Sequence, residues 1–288
     1  MVNVIVIVGP TGGGKTKLAI KIANEINGEI INADAFQVYK EISIGTAKAT
    51  KDETKLAKFY FNGEISIYDE WDIKIFQDKA KQTIEHIVKQ NKVPIIVGGS
   101  NLYIDALIYN YDLSAPPRTD KFENYSCEQL LKFINERKPD VLKKIDHSNK
   151  RRLIRAAQLI DSGNKLHNKN EPLYNPIFIE IVIDRNLMNE NINNNVNKML
   201  KNGWKDEVVS LYQKDNDVGK LNAFKAIGYL DILQSLITKT DINVDLIKQK
   251  TRQYAKRQLT WIKHHYINTL KYDGNNYDSV IKQIKQKI

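Results

Sequence analysis

A chain of 288 residues with 42% hydrophobic side chains can bury a sizeable core, which excludes a disordered protein. Its 44 Lys and Arg against 34 Asp and Glu leave a formal net charge of +10, favouring a polyanionic partner. The single cysteine, Cys127, excludes an internal disulfide and a cysteine-based zinc site and suits a reducing cytosol.

The first predicted strand, 4–8, is the β-branched run Val-Ile-Val-Ile-Val, too short to span a bilayer, so a cytoplasmic protein without a membrane segment is expected. It breaks into Gly9, Pro10, Thr11, Gly12, Gly13, Gly14, Lys15 and Thr16, which matches G-x-x-x-x-G-K-[ST]. Glycines in that spacing let successive backbone N–H groups turn toward one anion, and a helix beginning at the loop's end aims its positive dipole there. Lys15 adds a point charge, and the Thr16 hydroxyl suits a magnesium ion bridging the same phosphate oxygens. The compound carrying that phosphate, a nucleotide or any diphosphate, stays open at this point.

A helix with Leu18, Ile22, Ala23 and Ile26 follows, then a strand over 29–34 ending on Asp34. A carboxylate at the carboxyl edge of an α/β sheet is placed for a general base or a magnesium ligand, and equally for a turn or N-cap aspartate. After the loop-like stretch with Tyr39, Gly45, Thr46, Ala47 and Lys48, a helical stripe runs over 73–90 and a short strand over 93–97. Gly98, Gly99 and Ser100 close that strand, with Asn101 predicted to cap a helix through Ile108. Strands alternating with helices imply a parallel sheet between helices.

Near Ser114 the run Ala-Pro-Pro-Arg interrupts the pattern, and two helices are predicted at 126–137 and 148–161. A polar stretch over 163–176 leads to a strand at 177–183, then to helices at 189–202, 204–213 and 229–236. A long helix over 245–270 carries a basic stripe of Arg252, Lys256 and Lys263 with Arg257 nearby, either a polyanion contact or a solvated face. The predicted architecture is α/β: a P-loop catalytic core at 1–113, a helical insertion at 114–175, and at 176–288 a return to the core followed by C-terminal basic helices.

Several stretches then share one resemblance. Gly9 to Thr16, Asp34-Ala35-Phe36-Gln37-Val38-Tyr39, Ile44 to Lys48 and Val97 to Ile104 resemble, in order, the tRNA dimethylallyltransferase family. So do Asn149 to Ala156, Met199 to Val208, Ala226 to Tyr229 and Lys256 to Trp261, and the series covers nearly the whole chain. The resemblance implies transfer of the dimethylallyl group of dimethylallyl diphosphate to N6 of the adenosine 3′ of the anticodon in tRNA. It implies a diphosphate held by Gly9, Pro10, Thr11, Gly12, Gly13, Gly14, Lys15, Thr16 and Lys225, with Lys15 and a Thr16-bound magnesium ion neutralising charge as the carbon–oxygen bond breaks. Asp34 is similar to the family's general base, so Asp34, Thr16 and Lys15 form the implied catalytic set. Gln37 resembles the residue that recognises the target base, in a segment of Asp34, Ala35, Phe36 and Gln37 with Ser100 beside it. Arg151, Arg152, Leu153, Ile154 and Arg155 resemble the segment that contacts the tRNA anticodon stem-loop, and Arg252, Lys256 and Arg257 lie on the helix implied to face it. A monomer is expected.

Some positions depart from the family pattern. Ala35 stands for Ser, Ser43 for Asp, Ala49 for Pro and Ser100 for Thr, while Lys225 takes a position of Gln or a diphosphate-contacting Arg and lacks the bidentate fork. The competing functions are a small-molecule kinase recruiting Asp184 for magnesium, a prenyltransferase acting on free adenine nucleotide, and a homologue that holds tRNA without catalysis.

Overall fold

The computed structural model describes residues 1–113, 119–163 and 171–288; the Pro-Pro interruption and most of the polar stretch before residue 171 lie outside them. The four strands predicted above are joined by two more into a six-stranded sheet in which every pairing is parallel. Strand β1 (Asn3–Val8) lies near the middle, flanked by β4 (Val93–Val97) and β5 (Asn175–Ile181), while β2 (Gly28–Asn32) separates β4 from β3 (Phe59–Tyr60), and β6 (Leu270–Tyr272) is the edge beyond β5. Register follows the apolar runs: Ile5 pairs with Ile95 on one side and Ile177 on the other. A strand buried on both faces needs a continuous β-branched run, and Val4 to Val8 are fully buried.

Helix α1 (Lys15–Glu25) packs Leu18, Ile22 and Ala23 against Ile5, Ile7 and Ile30, and helix α11 (Tyr277–Lys285) adds Val280, Ile281 and Ile284 to the same cluster. Helix α2 (Lys51–Leu56) opens with a capping box formed by Thr50 and Glu53. Helix α3 (Ile73–Lys89) is capped by Asp72 and buries Phe76, Ala80, Ile84 and Ile87, the spacing of one helical face. Helix α4 (Asn101–Ile108) includes Asn101, so Asn101 is its first residue and not its cap; the carbonyl of Ser100 receives the Tyr103 and Ile104 amides, and the Asn101 Nδ2 donates to the Gln258 carbonyl.

Residues Tyr109–Glu171 form a separate compact unit. Within it α5 (Cys127–Arg137), capped by Ser126, and α6 (Lys150–Asp161), capped by Asn149, bury Leu130 and Ile134 against Leu153, Ile154, Ala157 and Ile160. Met1–Ile108 and Pro172–Ile288 make up the other unit, which contains the whole sheet.

The remaining helices are α7 (Arg185–Lys201), α8 (Trp204–Lys214), α9 (Tyr229–Thr238) and α10 (Val244–His265). Helix α7 starts earlier than its Asn-rich sequence suggests, because the Asp184 carboxylate caps it by accepting the Asn186 and Leu187 amides. That role places Asp184 in a helix cap and not in a phosphate site. The predicted helix over 245–270 ends at His265: Tyr266 turns its ring onto Phe178 at 4.5 Å, Asn268 takes a left-handed φ of 59°, and Leu270 enters the sheet opposite Ile179. Strand β2 likewise ends at Asn32, two residues before Asp34. No helix among the described residues is long and apolar enough to cross a membrane.

A candidate active site at the phosphate loop

Between β1 and α1 the chain makes the turn its glycines permit. Gly12 and Gly14 take φ of 77° and 82°, a region that costs any residue with a Cβ, and Gly14 caps α1 without contributing a side chain. The first amides of α1 therefore meet no capping oxygen and remain donors for an anion. Lys15 folds back on its own loop, its Nζ donating to the carbonyls of Gly9 at 3.0 Å and Pro10 at 2.9 Å. Burial pulls its pKa down to about 8, against the opposing pull of the Asp34 charge. The loop opens onto a cavity of about 700 Å³ that also reaches Asp34, Gln37, Gly99, Lys225 and Arg257.

Asp34 sits in the turn after β2 and answers to both of its sequence readings. Its Oδ1 accepts the amides of Phe36 at 3.0 Å and Gln37 at 3.3 Å, as a turn aspartate does, yet its carboxylate borders the cavity. Burial raises its pKa above the ordinary carboxylate range, while the amides of Phe36, Gln37 and Gly99 and the Lys15 charge limit the rise. A half-buried carboxylate with a raised pKa beside a phosphate loop is equipped to take a proton.

The segment after Asp34 is held from several directions. Ser100 Oγ accepts the Ala35 amide at 3.1 Å, so the hydroxyl that replaces the family's Thr braces this turn. Gln37 lines the cavity, but its amide is engaged at both ends: Oε1 accepts from Asn32 Nδ2 at 2.9 Å, and Nε2 donates to Thr46 O at 2.9 Å and Ala47 O at 3.4 Å. Pairing with a base therefore requires Gln37 to exchange these partners. The 43–47 loop that supplies the two carbonyls is gripped by α8 and α9. Glu207 Oε2 accepts the Ser43 and Ile44 amides at 2.9 and 3.1 Å, and Tyr229 donates to Glu207 Oε1 at 2.6 Å while accepting the Gly45 amide at 3.1 Å. The Trp204 ring lies so close to Gly45 that a Cβ there would meet it at 2.1 Å.

The basic residues are dispersed. Arg257 borders the cavity, with its guanidinium 5.7 Å from the Tyr254 ring centroid, and Lys225 borders it from an exposed position. Arg252 instead donates to Asn193 Oδ1 of α7 at 2.6 Å, and Lys256 is exposed outside the cavity lining. In the Tyr109–Glu171 unit, Arg151 and Arg152 are exposed on α6 and Arg155 is half-buried. Leu153 and Ile154 belong to that unit's core, so their side chains are occupied in packing and are not available to touch RNA.

Two cavity residues escaped the residue-by-residue reading. Gln258 on α10 accepts the Thr11 amide at 2.7 Å and donates to the Gly99 carbonyl at 2.9 Å, and Tyr254 donates to that carbonyl at 2.8 Å. Their spacing of one helical turn was visible in the sequence, but their destination was not. As to metal, the described residues hold no group of three or more His, Cys, Asp or Glu that could chelate an ion alone. The hydroxyl of Thr16 is a hard oxygen donor on the cavity wall and suits a magnesium ion, which leaves the Asp34 carboxylate to take a proton.

Residues 37–265 match the family model described as IPP transferase. The chain is 40% identical over 283 residues to the tRNA dimethylallyltransferase of Malacoplasma penetrans, covering 96% of this chain and 93% of that protein. It resembles the crystal structure of the tRNA isopentenylpyrophosphate transferase of Bacillus halodurans with a TM-score of 0.76 at 28% identity, over 100% of this chain and 95% of the other. It also resembles a eukaryotic dimethylallyltransferase acting on tRNA, with a TM-score of 0.81 at 25% identity, over 99% of this chain and 78% of the other.

Proposed function

The chain belongs to the tRNA dimethylallyltransferase, or IPP transferase, family, and from that premise we propose how its residues divide the work of moving a dimethylallyl group from dimethylallyl diphosphate to tRNA. The acceptor atom is N6 of the adenosine 3′ of the anticodon. The loop amides from Gly12 to Thr16 and the start of α1 hold the diphosphate, and Lys15 exchanges its two carbonyl partners for phosphate oxygens. As the N6 lone pair bonds to C1 of the dimethylallyl group, the C1–O bond breaks, its electron pair leaves on diphosphate, and the N6 proton passes to Asp34. The Thr16 hydroxyl would hold a magnesium ion, whose charge would help to neutralise the leaving diphosphate. Lys225 reaches the same anion as a point charge.

The tRNA is positioned by phosphate contacts from Arg151 and Arg152 on α6 and from Lys256 and Arg257 on α10, while Arg252 supports α10 through Asn193. Extruding the target base costs a few kcal/mol in enzymes that work on bases, which binding elsewhere on the tRNA offsets. A cytoplasmic monomer is part of the same proposal. The observation that carries it is one cavity bounded at the same time by an anion-binding loop and by a half-buried carboxylate with a raised pKa. The test is incubation with magnesium, dimethylallyl diphosphate and unmodified tRNA, followed by mass spectrometry of the digested RNA. N6-dimethylallyladenosine is the expected product; its absence, or prenylation of free AMP in preference to tRNA, would overturn the proposal.

A further inference from the structure

Gln258 is 3% exposed, and its side chain is a primary amide placed across the site. A buried amide is costly unless both of its ends are bonded, and here the two ends reach parts of the chain that have no other direct side-chain bridge among the contacts described above. Oε1 takes the Thr11 N–H of the phosphate loop and Nε2 gives to the Gly99 carbonyl. The Asp34 carboxylate lies directly against Gly99, since a Cβ on Gly99 would meet its Oδ2 at 3.1 Å, and the Gly99 amide is one of the groups that hold the Asp34 pKa down. That corner cannot drift away from Asp34: a Cβ on Gly98 would lie 2.1 Å from the Ala33 carbonyl oxygen, the Ser100 amide donates to the same oxygen, and Ser100 Oγ receives the Ala35 amide. A continuous relay thus runs from Thr11 through Gln258 and Gly99 to Asp34.

We infer that Gln258 is a positioning residue, which sets the separation of the diphosphate loop from the general base and delivers that setting from helix α10. The inference rests on the transfer reaction proposed above. Helix α10 does not need Gln258 as an anchor, since Ala255 packs with Met188 and Ile192 of α7, and Ile262 is buried further along. What the amide adds is direction. Attack of N6 on C1 needs reacting atoms about 3–3.5 Å apart, and a displacement of about 1 Å costs on the order of a hundredfold in rate. Tyr254 supports the Gly99 end of the relay only.

The experiment uses the full chain with Gln258→Leu, Gln258→Glu and Tyr254→Phe, in three measurements beside thermal melting. Single-turnover transfer at saturating tRNA and dimethylallyl diphosphate is followed as a function of pH, the KM for tRNA is determined, and inorganic diphosphate is titrated calorimetrically with magnesium present. For Gln258→Leu, transfer should slow by about 30- to 100-fold. Its KM for tRNA should stay within about twofold, and the acid limb of the pH profile should move to higher pH as Asp34 loses an aligned amide. Affinity for inorganic diphosphate should fall about threefold to tenfold, as the loss of one hydrogen bond on the loop predicts. Gln258→Glu keeps an acceptor for Thr11 but has no donor for Gly99 and adds a negative charge to the cavity wall, so its acid limb should move to higher pH and its diphosphate affinity should fall at least as far as in Gln258→Leu. Tyr254→Phe should give a smaller loss of rate in the same direction.

A Gln258→Leu enzyme with wild-type rate, acid limb and diphosphate affinity would overturn the inference, as would a loss of rate that only follows the unfolded fraction. If Gln258→Leu does not fold, an unmoved acid limb in both other variants overturns it. If the wild-type chain transfers nothing to tRNA, the proposed function fails separately. The diphosphate titration then decides the role of Gln258, unchanged affinity counting against it.

Discussion

The phosphate loop and the Asp34 turn face the same cavity but are built in opposite ways. Apart from the Thr11 amide, which Gln258 accepts, the loop ties its donors only to itself or to nothing: Gly14 brings no side chain to the α1 cap, the Gly13 amide turns onto the Pro10 carbonyl, and Lys15 is parked on carbonyls of its own segment. The turn leaves almost nothing unused, with Asp34 held by the Phe36 and Gln37 amides, Ala35 by Ser100 and Gln37 by Asn32 and the 46–47 carbonyls. An anion site needs donors that are free until the ligand arrives, whereas a proton acceptor works only if its orientation is settled beforehand. The loop can therefore be encoded locally, while the turn has to recruit distant elements.

The largest effect should come from the turn. Asp34→Ala should reduce transfer by about 10²- to 10⁴-fold, the usual share of a general base, while tRNA affinity changes only a few fold. Single-turnover rates and filter binding measure the two, and parallel losses in both would assign Asp34 to docking.

A pair of glycines contrasts the two constructions directly. Gly45→Ala drives a methyl group into the Trp204 ring, and overpacking of this kind costs about 1–3 kcal/mol. Gly14→Ala meets no neighbouring atom within 4 Å, so its cost is the left-handed backbone alone, about 1–2 kcal/mol. Denaturant unfolding reads both, and in a Trp204→Ala background, itself destabilised, Gly45→Ala should cost less than it does in the wild type while Gly14→Ala costs the same. An equal reduction in cost for both glycines would mean the loop depends on packing just as the turn does.

Docking of tRNA should be separable from both. Replacing Lys256 and Arg257 by Ala should lower the slope of log affinity against log salt by about one to two units, with inorganic diphosphate binding altered only through Arg257. Lys256→Ala alone should leave diphosphate binding unchanged in a calorimetric titration.

The smallest effect is a proton count. With its pKa lowered to about 8, Lys15 loses its proton as the pH rises through that value in the ligand-free enzyme. Diphosphate favours the charged amine, so binding at pH 8 to 9 should take up a fraction of a proton, measurable by calorimetry in buffers of different ionisation enthalpy. Below pH 7 the uptake should vanish, and Lys15→Ala should abolish it throughout. At the acid end the raised pKa of Asp34 works in the opposite sense: transfer should fall, as pH drops, above the ordinary carboxylate range.

What the sequence alone determined is whatever depends on neighbours in the chain. The glycine spacing of 9–16, the buried runs of β1 and β4, and the periodic stripe of α3 are short-range chemistry, and the structure has them where the pattern puts them. Leu153 and Ile154 belong here too: their helical periodicity marked them as core even while a motif suggested RNA contact. Strands β3 and β6, with two and three residues, carry too little pattern to be read, because their pairing partners β2 and β5 supply the ordering. The end of α10 was equally hidden, since Tyr266 leaves the helix for a ring that lies on β5. Only the tertiary structure decided what Gln37 and Gln258 do. An amide side chain bonds equally well to water, to a base or to backbone, and which one it meets depends on segments such as Thr11 and Gln258, 247 positions apart, being folded into hydrogen-bonding distance.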